Sequence, residues 1–152
     1  MKRGNKMKKM IMLFVGCLIL GACVVEQSPV DKFLHGESPT GYDLKKLKLD
    51  MDKNKHSVFA IVTPSTYYNY AFTNDKNTMY SFEMEDSKVR TGMYGYCLKK
   101  DENCKQLFET LRDKERCVVE LDVWYPNKVF RDRTPNENHA EIGNITIHRC
   151  SK

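Results

Sequence analysis

Residues Cys117–Tyr125 read CVVELDVWY. Val119, Leu121, Val123 and Tyr125 fall on one face, and Glu120, Asp122 and Trp124 on the other. Strict two-residue alternation marks a strand with one face buried and one face wet. Pro126-Asn127 then stops it. A strand this regular needs partners, and the flanking sequence supplies them.

Upstream, Asp101–Lys114 predicts one helix. Cys104, Leu107, Phe108 and Leu111 recur at i, i+3, i+4 and i+7, a single core-facing stripe. Asp101 is placed to cap its start, and Arg112 and Lys114 suit its C-terminal dipole. Earlier still, Val58–Val62 is a continuous, β-rich apolar run stopped by Pro64. Tyr67–Thr73 and Thr78–Glu85 alternate about the turn Asn74-Asp75-Lys76-Asn77, which reads as a hairpin. Val89–Leu98 predicts a further strand, with Gly92 and Gly95 marking a bend or bulge. Downstream, the polar stretch Lys128–His139 reads as a loop, and Glu141–Cys150 as the last strand, with Ile145 and Ile147 inward.

The expected fold is therefore mainly β with one helix (α+β), a small antiparallel barrel whose helix precedes its fourth strand. That order is similar to the OB-fold, a likeness of topology without a signature motif. The expected domain spans 56–152. Residues 23–55 read as a flexible tether, because Ser28-Pro29, Ser38-Pro39-Thr40-Gly41 and the charged cluster 50–55 disfavour a packed core. Leu44, Leu47, Leu49 and Met51 are the exception, fitting an edge strand or a short helix.

The N-terminus carries an address. Lys2, Arg3, Lys6, Lys8 and Lys9 precede the apolar run Met10–Ala22, and Cys23 follows. A cationic front, a short apolar core and small residues describe a secretory signal over 1–22. A spanning helix needs about 20 apolar residues, more than this run provides. Leu20-Gly21-Ala22-Cys23 resembles the lipobox of bacterial lipoproteins. The resemblance implies cleavage before Cys23 and lipid chains on that residue, palmitate among the acyl groups. Val24 at the next position suggests outer-membrane sorting in a Gram-negative envelope, since Asp there tends to retain lipoproteins in the inner membrane. The likeness covers only the first 23 residues.

Processing changes the charge. The whole chain has 25 basic and 20 acidic residues, and five of the basic ones precede Cys23. The mature chain is left with 20 of each. Neutrality argues against nucleic acid as the main partner.

With Cys17 removed in the signal and Cys23 carrying lipid, Cys97, Cys104, Cys117 and Cys150 remain, an even set in an oxidising compartment. Two disulfides follow, and sequence alone allows three pairings. The Cys spacing does not suit a metal site, and neither metal nor cofactor is expected. Cys117–Cys150 with Cys97–Cys104 is preferred, because the first pair lies at the outer ends of adjacent strands and the second is close in sequence. Placing Cys117 opposite Cys150 puts Leu121 across from Thr146, so this pairing requires a bulge near Arg149 or an irregular register.

No G-x-S-x-G, phosphate-binding loop, G-x-G-x-x-G or H-E-x-x-H occurs. The four His are scattered singly and read as solvated, and the alternating acids read as wet strand faces. The remaining candidates are aromatic: Tyr67, Tyr68, Trp124 and Tyr125. The reading is a non-catalytic module, anchored to the membrane at Cys23 and binding another envelope protein. The alternative is an oligosaccharide or single-stranded nucleic-acid binder using the aromatics, and an enzyme is a distant third.

Overall fold

The computed structural model of the chain describes residues 25–65, 78–126 and 138–152. The elements are α1 (Pro29–Leu34), α2 (Leu44–Asp50), β1 (His56–Pro64), β2 (Met79–Glu85), β3 (Met93–Leu98), α3 (Glu102–Asp113), β4 (Arg116–Trp124) and β5 (His139–Ser151). The strands close into a barrel in the order β1-β2-β3-β5-β4. The fold is mainly β and OB-fold-like, with α3 preceding the fourth strand. One pairing departs from the all-antiparallel expectation: β3 and β5 run parallel over Tyr94–Tyr96 and His139–Glu141. A parallel pair needs a long crossover, and α3 with β4 provides it. The expected Tyr67–Thr73 strand and its turn lie outside the described residues.

The barrel interior holds Val58, Ala60 and Val62 from β1, and Cys117, Val119, Leu121 and Val123 from β4. α3 closes it with Cys104, Leu107 and Leu111. Asp101 caps α3, its carboxylate accepting from the Cys104 N–H at 3.0 Å. Gly95 permits the tight interior. A Cβ there would lie 2.8 Å from Met84 Sδ and 2.9 Å from Ile142 Cγ2.

Both disulfides form, Cys97–Cys104 and Cys117–Cys150. Cys117 opposes Cys150 and Val118 opposes Arg149, but Val119 opposes Ile147. The extra residue, His148, is the bulge that returns Ile147 to the inner face. A second register shift lies between Glu120 and Asp122, and beside it Asn144 takes a left-handed φ of 47°. Asn tolerates that backbone better than most residues.

Residues 29–51 correct the tether expectation. Ser28 caps α1, with Pro29 in its first turn. Val30 and Phe33 pack over Phe59, Ile61 and Val118 on the outer face of β1 and β4. This explains the unbroken apolar run in β1: its inward and outward faces are both covered. Asp43 caps α2 through the Lys46 N–H, 2.8 Å away. Leu44 and Leu47 are fully buried in the barrel core, while Leu49 is 75% exposed. Local Pro, Gly and charge spelled flexibility, but helices this short are held by the tertiary surface they cover, not by propensity.

Candidate functional site

The short parallel pairing shapes the site. Beyond Tyr96 and Glu141 the two strands separate, and a cleft of about 520 Å³ opens between β3, β5 and the start of β2. Trp124, near the end of β4, forms part of one wall. It sits opposite Glu141 in the ladder, and its indole N–H donates to Glu141 Oε2 at 2.5 Å. Lys55, just before β1, holds its ammonium 4.5 Å from the indole centroid, a cation–π geometry. Gly143 lies against the ring, where a Cβ would come within 3.3 Å of it. Asn144 follows, its amide donating to Asp122 Oδ2 at 2.6 Å. Leu98, 42% exposed, and Asp101 line the cleft from the α3 side.

The expected site residues separate. Trp124 lies at the cleft, partly exposed. Tyr125 does not. It is 1% exposed and belongs to the core, because the chain continues the inward face of β4 for one more alternation. It is a packing residue, which corrects its place among the binding aromatics. Tyr67, Tyr68 and Cys23 lie outside the described residues. Lys55, Leu98, Glu141, Gly143 and Asn144 were not singled out from sequence. Gly143-Asn144 inside a strand pattern was the one local hint, since such a pair marks a bulge or a close approach.

A second correction concerns His139, expected to be a solvated loop residue. It starts β5, is 2% exposed, and pairs Nδ1 with the Tyr96 hydroxyl at 2.9 Å. Burial lowers its pKa to about 4, so the ring is neutral at pH 7. Asp86 is shifted the other way. Burial foremost, and then the nearby Asp43 carboxylate, raise it to about 6 against the backbone N–H groups of Leu44 and Lys45. Its Oδ1 is buried with no hydrogen-bond partner among the described residues. It borders a smaller cavity of about 110 Å³ beside Tyr42 and Gly36.

These two groups give opposed pH dependences. The folded pKa of His139 is below its unfolded value, so the unfolded chain binds more protons between pH 6.5 and 4. Stability falls with pH through that window, by about 3 kcal/mol in the limit. The folded pKa of Asp86 is above its unfolded value, so stability rises as pH falls from 6 to 3.8, by about 2 kcal/mol allowing for its partial exposure. The two partly cancel in the native protein, leaving a loss of about 1 kcal/mol. Asp86→Asn should therefore lose about 2 kcal/mol more than the native chain between pH 7 and pH 4. Urea denaturation of both proteins at the two pH values checks this, and equal losses would contradict it.

Among the described residues, no three His, Cys, Asp or Glu side chains gather as a metal site would require. No family model matches the chain, and comparisons with curated proteins and with solved structures find no match.

Proposed function

We propose that the protein is a non-catalytic binding module, anchored in the bacterial envelope through lipid on Cys23, with another envelope protein as its partner. The observation that carries this reading is the lipobox Leu20-Gly21-Ala22-Cys23 immediately ahead of a disulfide-stapled barrel. The link from Cys23 to the cap of α1 at Ser28 reaches at most about 18 Å when extended. The module would sit close to the bilayer instead of ranging on a long tether. Two or more acyl chains would hold it there stably. Val24 favours the outer membrane.

Two measurements test the proposal. Cys23→Ala should leave an unlipidated product, and unchanged lipid mass would refute the anchor. Crosslinking the full chain in intact envelopes should trap one defined protein. If no protein is enriched over the Cys23→Ala control, the protein-partner reading fails. A small-ligand reading has one observation in its favour, the cleft beside Trp124.

A further inference from the structure

We infer that the cleft between β3 and β5 is a binding site for a neutral oligosaccharide. The inference stands on the barrel alone and depends on neither the anchor nor the protein partner. The cleft, at about 520 Å³, lies within the range of small-ligand sites. Among the described residues, its charged lining is Asp101 and Glu141 against Lys55. One ammonium facing two carboxylates gives no cation surplus among the described residues, and a nucleic-acid or other polyanionic ligand needs such a surplus.

The remaining chemistry is amphipathic. Leu98 and Met79 line one side with apolar surface, and Trp124 contributes aromatic surface. The Asp101 carboxylate gives Oδ1 to the α3 cap, and Glu141 gives Oε2 to the indole. Each carboxylate has a second oxygen able to accept from a hydroxyl. Lys55 supplies donors. Sugar rings present C–H surface together with hydroxyls, and this mixture of surfaces matches them. Trp124 is already held by Glu141, Lys55 and Gly143, so little side-chain entropy remains to be lost when a ligand binds.

The sole tryptophan of the chain lines this cleft and reports on it directly. The full chain, purified in a zwitterionic detergent free of sugar headgroups, is titrated with chitotetraose, cellotetraose and maltotetraose. Dodecathymidylate and tetralysine serve as the anionic and cationic comparisons. At least one tetrasaccharide should shift the indole emission saturably, with a midpoint below about 1 mM, a binding energy of about 4 kcal/mol. Leu98→Arg, at a position 42% exposed, should weaken that midpoint at least tenfold by filling the cleft. Glu141→Gln keeps one oxygen for the indole but turns the second acceptor into an NH2 donor, and should weaken the midpoint at least threefold. The inference is overturned if no tetrasaccharide shifts the emission, if dodecathymidylate or tetralysine binds more tightly, or if Leu98→Arg leaves saccharide binding intact. Any of these results would leave the lipid anchor and the crosslinked partner standing.

Discussion

Replacing Cys117 and Cys150 together by Ala should destabilise the barrel by about 3–4 kcal/mol. The bridge closes a loop of sequence separation 33, and the reduced, unfolded chain regains the freedom of that loop. Cys97–Cys104, with a separation of 7, should contribute less, about 2.5 kcal/mol on the same reasoning. The asymmetry has a structural side as well. Cys117–Cys150 joins β4 to β5 beside the His148 bulge, where the ladder is interrupted and slippage would otherwise be easiest. Guanidinium unfolding of the two double variants, C117A/C150A and C97A/C104A, compares the bridges. A smaller loss for C117A/C150A than for C97A/C104A would contradict this account. Non-reducing peptide mapping checks the pairing independently, and a peptide joining Cys97 to Cys117 or Cys150 would overturn it.

Leu47→Ala should cost about 3 kcal/mol. Leu47 is fully buried among the barrel core residues, although α2 lies outside the barrel strands and has only seven residues. A helix so short has no stability of its own in water, so it does not follow a lost side chain inward and a cavity remains. Leu49, two residues on, is 75% exposed, and Leu49→Ala should change stability by less than about 0.5 kcal/mol. The contrast between the two separates a packed helix from a tether, in which neither change would register. Equal, small effects would restore the tether reading.

The cleft was only partly legible in the sequence. Trp124 stood out because it broke the aliphatic rule of β4 by joining Glu120 and Asp122 on the polar face. Its neighbours could not be found that way. Lys55 is 69 residues from Trp124, in a stretch that reads as charged linker, and Glu141 lies beyond a polar segment of unstated reach. They meet because β4 pairs with β1 on one side and β5 on the other. The same limit applied to His139, whose partner Tyr96 is 43 residues away. Nothing local distinguishes a buried His from a wet one.

What the sequence alone determined was each segment's own pattern. Alternation in Cys117–Tyr125 and the stripe Cys104, Leu107, Phe108, Leu111 gave a strand and a helix with the correct faces inward. Even a bulge or irregular register beside Arg149 followed, since register has a period of two and the Cys pairing clashed with the apolar faces. The tertiary structure decided what covers each face. Phe59 and Ile61 gain α1, Leu44 and Leu47 reach the core, and Tyr125 is buried while Trp124 lines a cleft. Periodicity is a local property, set by backbone geometry within a few residues. Burial is a property of partners distant along the chain, and it is settled only when the barrel closes.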